Sequence, residues 1–212
     1  MNKQSIVVGY RVVFAVLGIV AMATQLEKVW DTPGNPGNFF SFFTIESNIL
    51  AAAVLLYGAA RPAMVSRSQT HDLVRGAAVL YMTVTFIVYG VLLSGYQEEL
   101  QTTIPWVDTV VHRVLPIVMF LDWIIDPPDN ALTWRRALPF WLAPPAAYLI
   151  YSLIRGPIVG WYPYPFLNPD EVGGYAGVAA YAVGIALLAA LGTWLIVWIG
   201  HRIRIRVAPA SA

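Results

Sequence analysis

The chain has 212 residues, 58% of them hydrophobic and only 12% charged, with a formal net charge of +1. A soluble domain carries about a quarter charged residues, so this composition, with a mean hydropathy of +0.63, excludes a water-exposed surface and reads as an integral membrane protein. The charge balance gives no footing for a nucleic-acid partner, and the absence of Cys excludes disulfides, thiolate metal sites and cysteine nucleophiles.

A spanning helix needs roughly 20 apolar residues. Six stretches qualify, at about 5–26, 39–60, 73–95, 105–125, 136–155 and 175–201. They predict an all-α, six-transmembrane-helix bundle forming a single domain over 1–212, multi-pass in the cell membrane. At the first stretch, Lys3 and the small residues Ala21–Ala23 resemble the flanks of a cleaved signal. Arg11 interrupts that pattern, and the stretch reads as a retained first helix. The second contains "FFTIESNIL" at 42–50, which packs Thr44, Glu46, Ser47 and Asn48 into five positions. Each of these costs free energy in hydrocarbon unless partnered.

The fourth and fifth stretches are the least uniform. One holds Asp108, His112, Arg113 and Asp122, and the other holds Pro144 and Pro145. Proline inside a span is tolerated where neighbours satisfy the freed carbonyls, so both stretches are expected in the bundle interior. The connections alternate in sign. Lys3, Arg61, Arg67, Arg75, Arg135, Arg136, Arg202, Arg204 and Arg206 fall at one end, and Glu27, Asp31, Glu98, Glu99, Asp170 and Glu171 at the other. The positive-inside rule then places both termini in the cytoplasm. The connection 156–175, "GPIVGWYPYPFLNPDEVGGY", is rich in Pro and aromatics. It reads either as a lid over an outward-facing cavity or as an interfacial anchor for two helices. The basic tail "HRIRIRV" suits contact with anionic lipid.

With this topology, the second and fourth stretches enter from the same face. At ~1.5 Å per residue, Thr44 and His112 lie at similar depth, ~8 and ~10 Å below their helix starts. On the fourth stretch, spacings of three and four put Asp108, His112, Leu115, Met119 and Asp122 on one stripe. Asp108 is placed to hold one ring nitrogen of His112. Pro116 removes the amide that would bond the carbonyl of His112. On the second stretch, Thr44, Ser47, Asn48 and Ala51 share a face. Glu46 points elsewhere, with Arg113 as its expected partner in a structural polar pair.

These residue types permit acyl transfer. A threonine hydroxyl beside a histidine base is an activated nucleophile, and Asn48 or Ser47 is a candidate oxyanion donor. A site at this depth meets lipid esters already dissolved in the leaflet. The bland alternatives are Thr and Ser bonding their own backbone, a packed His–Asp pair, and Asp122 as a loop-anchoring carboxylate. The rival function is a small-solute or ion transporter or channel with a buried polar relay, six spans forming one protomer of a homo-oligomer. His71 and His201 belong to the end opposite His112, so neither a two-histidine haem nor a three-histidine zinc site assembles. No cofactor or metal is expected.

Thr44 followed by Asn48, with "HRVLP" at 112–116, resembles the androgen-induced protein and androgen-dependent TFPI-regulating protein family. The segments "FFTIESN", "HRVLPIVMFLDW" and "GWYPYPFLNP" resemble its bacterial relatives over nearly the whole chain. The resemblance implies a multi-pass threonine hydrolase in which Thr44 matches the nucleophile and His112 the base. Its animal members cleave fatty acid esters of hydroxy fatty acids, so a membrane lipid is the implied substrate.

Overall fold

The computed structural model describes residues 3–31, 36–61, 66–100 and 103–207. The side chains of Lys3 and Arg206, counted above with the basic end, lie outside the described residues. The elements are α1 (Lys3–Val29), α2 (Phe43–Ala60), α3 (Gln69–Val88) running into a π-helical turn (Tyr89–Leu93), α4 (Pro105–Thr109), a second π-helical turn (Val110–Val114), α5 (Leu115–Ile125), α6 (Trp134–Val159) and α7 (Tyr175–Val207). From α4 through the second π turn to α5 the chain stays helical without a break, so 105–125 is one helix. A helix therefore stands at each of the six apolar stretches, and no strand occurs among the described residues.

Five helices are long and apolar enough to cross a membrane: Gln4–Val29, Phe43–Ala60, Gln69–Leu93, Trp134–Val159 and Tyr175–Ile205. The helix 105–125, with Asp108, Arg113 and Asp122, is not among them. The middle of the bundle belongs to α3, whose most apolar window is 61% buried, against 17% for α6 and for α7. It begins where the Ser68 hydroxyl accepts the His71 amide at 3.1 Å, as an N-cap serine does. Its neighbours come close because small residues face large ones. A Cβ at Gly76 would sit 2.3 Å from the Trp141 ring of α6, and the same device brings α1 to α5, where one at Gly18 would sit 2.6 Å from Leu115.

The double proline of α6 is accommodated by α3. Pro145 has no amide to give the carbonyl of Trp141, and Tyr81 Oη donates to that carbonyl instead, at 2.9 Å. Trp141 Nε1 returns a bond to the carbonyl of Leu73 at 2.8 Å. The sequence places the proline helix in the interior. In the structure it is peripheral, only 17% of its most apolar stretch being buried, and Tyr81 reaches it from α3 for the carbonyl that Pro145 frees. At its end Gly160, at φ +67°, closes α6 in the left-handed conformation glycine permits.

The end of the bundle that holds the start of α3 is tied by a buried ion network. Asp122 receives Arg11 Nε at 2.6 Å, Arg75 Nη2 at 2.6 Å and the Tyr10 hydroxyl at 2.8 Å. Asp126 receives Arg11 Nη2 and Arg67 Nη1 at 2.6 and 2.7 Å. Arg67 also reaches Asp72 at 3.0 Å, Asp129 at 2.7 Å and the carbonyl of Pro127. Asn130 Nδ2 closes the set on Asp72 at 2.8 Å. Burial opposes ionisation of Asp126, but the Arg75, Arg11 and Arg67 cations outweigh it and hold its carboxyl down at about 2. Asp122 thus anchors α1 and α3 together as well as its own loop.

Candidate functional site

At the opposite end, a 3₁₀ turn at Phe39–Ser41 is followed by extended Phe42, and α2 starts only at Phe43. Thr44 therefore lies in the first helical turn rather than ~8 Å below a helix start. Its amide has no intrahelical acceptor at that position, and it donates to Tyr164 Oη at 3.1 Å. The Thr44 hydroxyl pairs with the same phenol at 3.3 Å. Tyr164 reaches this point from the connection between α6 and α7. It stands between Pro163 and Pro165, and the following proline favours the extended backbone that it adopts (φ −138°, ψ 142°). The ring is buried against Phe42 and stacked on Phe166. Burial pushes its phenol up to about 12, against the Thr44 bonds that lower it, so the group keeps its proton at neutral pH.

The second π turn sets the imidazole. At its end the amide of Leu115 reaches back to the carbonyl of Val110, just before Pro116, which has no amide to offer. The carbonyl of Val111 is left to a neighbour, and Asn48 Nδ2 of α2 donates to it at 3.2 Å and to the carbonyl of Thr44 at 2.8 Å. Asn48 thus stitches the residue beside His112 to Thr44 itself. Both of its donors are directed at carbonyls, which gives it an orienting position rather than an oxyanion-binding one.

His112 is 2% exposed. Asp108 Oδ1 holds its Nδ1 at 3.0 Å, one helical turn away. The other Asp108 oxygen accepts the Tyr89 hydroxyl at 2.7 Å, and Gln97 Nε2 donates to that hydroxyl at 3.3 Å. The Tyr89 ring stacks on the imidazole with centroids 3.9 Å apart and planes at 11°. With Nδ1 tied to Asp108, Nε2 is the nitrogen left to exchange a proton.

Thr44 and His112 line one narrow gap, with Tyr164, Phe42 and Gln25 also on its wall. Its volume of about 10 Å³ is near the space that a single water needs. No hydrogen bond among the described residues joins Thr44 to His112 directly. Thr44 and Tyr164 also line a second, larger cavity of about 270 Å³ that runs between α3, α6 and α7. Its walls are mainly apolar, with Leu80, Val84, Leu142 and Ala189 among them.

Ser47 is buried, its hydroxyl lacks a partner, and it lines neither cavity. The Glu46–Arg113 pair does not form. Both side chains are exposed and no ion pair among the described residues links them. Arg113 lies over the Tyr89 ring at 5.6 Å instead. Tyr89 and Tyr164 are the functional-site members that sequence reasoning passes over. Tyr89 follows a plain apolar run, whereas the Pro-Tyr-Pro triplet is a local signal for Tyr164. Among the described residues no group of three or more His, Cys, Asp or Glu is placed to hold a metal ion. No family model, curated protein or solved structure matches the chain, so the chemistry of this site is read from its geometry.

Proposed function

We propose that the protein is an intramembrane hydrolase of lipid esters, with Thr44 as nucleophile and His112 as base. One observation carries this reading. Thr44 lines both the narrow gap that it shares with His112 and a mainly apolar cavity of about 270 Å³. The resemblance to the androgen-induced protein family points the same way and implies fatty acid esters of hydroxy fatty acids, or similar esters, as substrates. In this reading the helix 105–125 is a sixth span, both termini are cytoplasmic, and the site lies in the outer leaflet of the cell membrane.

In the resting arrangement the Thr44 hydroxyl rests on Tyr164. For reaction it turns to His112 and loses its proton to Nε2 as the oxygen attacks the ester carbonyl. The α2 N-terminus favours the negative charge that develops there. Asp108 steadies the imidazolium through Nδ1, and the neutral phenol of Tyr164 donates to the carbonyl oxygen as it becomes an anion. The carbon–oxygen bond to the alcohol breaks, and the alcohol leaves with the proton from His112. Water then gives a proton to His112 and attacks the acyl-threonine. The fatty acid departs, and the threonine oxygen recovers its proton. The Asp108–His112 pair lends itself less to a relay across the membrane. Leu115 and Met119, 1% and 0% exposed, lie between it and Asp122.

The test is ester turnover by the purified full chain in detergent or nanodiscs. Thr44→Ala and His112→Ala should each lower kcat/KM for a long-chain ester by on the order of 10³-fold or more with the thermal unfolding midpoint preserved. A fluorophosphonate probe should label the wild type and spare Thr44→Ala. Undiminished turnover by the Thr44 variant would remove the nucleophile and the reading with it.

A further inference from the structure

The larger cavity borders the surface of the bundle. It shares Val88 and Ile185 with a surface groove between α3 and α7, whose walls are Val88, Val91 and Leu92 on one side and Gly184, Ile185 and Leu188 on the other. The groove is a splay between two helices that are closed further along. A Cβ at Gly192 of α7 would lie 2.8 Å from Leu80 Cδ1 of α3, whereas one at Gly184 would meet nothing within 4 Å. Eight residues separate the two glycines, ~12 Å of helix. Beyond the closed point, Trp123 Nε1 donates to the carbonyl of Ile196 at 3.1 Å and clamps α7 to α5. The open part of α3 includes the π turn Tyr89–Leu93, an insertion that swings Val91 outward to 75% exposure while Leu93 stays buried in the cavity wall.

From these shared walls and the splay of the two helices we infer that the cleft between α3 and α7 is a lateral mouth through which one acyl chain of a bilayer lipid enters, and that the cavity behind it is the subsite for that chain. The occupant follows from the chemistry of the path. The mouth is apolar on both walls, it opens on helix faces that suit hydrocarbon, and at its inner end it meets the Thr44 hydroxyl. A water-soluble substrate gains nothing from such a route. A chain already in the leaflet moves from one apolar medium to another, bringing its ester to the helix start without crossing water. The inference rests on the hydrolase reading for what happens at Thr44 but not for the chain's presence.

The chain has no cysteine, so Gly184→Cys supplies a unique thiol in the mouth, where a Cβ has room. The same folded preparation is assayed before and after reaction with a bulky hydrophobic maleimide, such as pyrene maleimide. Hydrolysis of a long-chain ester presented in vesicles should fall at least tenfold on labelling, and that of the short, water-soluble p-nitrophenyl acetate should stay within twofold. Separately, in Gly184→Cys combined with Thr44→Ala, a non-cleavable dialkyl ether lipid should slow maleimide labelling severalfold. This protection requires no catalysis, so it decides the mouth even if neither ester is turned over and the hydrolase reading fails. Labelling that leaves long-chain turnover intact, or that lowers both esters alike, overturns the lateral mouth. So does a labelling rate indifferent to the ether lipid.

Discussion

The two polar layers of this bundle are built in opposite ways. At one end Arg11, Arg67 and Arg75 meet Asp72, Asp122, Asp126 and Asp129 in a lattice of charge-assisted bonds between 2.6 and 3.0 Å. At the other, one carboxylate, Asp108, ties down His112 and Tyr89 at 3.0 and 2.7 Å, while the Thr44 hydroxyl rests on Tyr164 at 3.3 Å beside open space. A buried charge must be paired almost completely to be tolerated, so the first layer is committed to holding helices together. A neutral hydroxyl costs less to leave half-partnered, so the second layer can keep a reactive group facing a cavity. In this bundle the charged layer ties helices together, and the layer around Thr44 leaves a hydroxyl beside a cavity.

The sharpest way to break the contrast is Asp122→Ala, which strands Arg11 and Arg75 without their shared carboxylate. Loss of one partner from a buried ion network costs about 3–5 kcal/mol. The variant should unfold at markedly lower temperature or denaturant in detergent, yet retain ester turnover where it stays folded. At the other layer, Asp108→Asn should leave stability nearly unchanged and lower kcat on the order of 10²-fold, the scale of a general base deprived of its orienting partner. A kcat loss at preserved KM would separate orientation from binding. A smaller effect is expected between the layers. Tyr81→Phe leaves the carbonyl of Trp141 without its donor beside Pro145, costing about 1–2 kcal/mol, read as a lower unfolding midpoint.

The smallest effect is one of pH. The folded-state value of Asp126, about 2, lies below the ordinary 3.8, so its ionised form contributes stability that is fully present above about pH 4. That contribution is lost as pH falls toward 2. Between pH 5 and 3 the loss amounts to about 1 kcal/mol or less, since the side chain is partly exposed. Thermal melts across that range should show a midpoint that drops with acid. Asp126→Asn should flatten the dependence.

Much of this organisation was legible in the chain. Each of the six apolar stretches is helical, and the stretch 105–125 matches its helix end to end. The pairing of Asp108 with His112 also follows from helical spacing, since residues four apart lie one above the other. Pro116 marked an interruption of the helical ladder, though not its form as a π turn. Other expectations failed where they required knowing how one helix is turned against another. Charge alone matches Glu46 with Arg113, and its prolines alone place α6 inside. Tyr164 belongs to the connection 156–175, which by its aromatics reads as a lid or an interfacial anchor, and its hydroxyl contacts Thr44.

The sequence by itself determined the length and order of the helices and the residues that share a face within each. Apolar run length is matched to hydrocarbon thickness, and helical period is a local property of the backbone. Tertiary structure alone decided which faces meet. Tyr89 on His112, Tyr164 on Thr44, Arg11 on Asp122 and the splay of α7 from α3 all depend on rotation and close approach. Those are governed by contacts such as Gly76 against Trp141 and Gly192 against Leu80, between residues dozens of positions apart, and no local spacing encodes them.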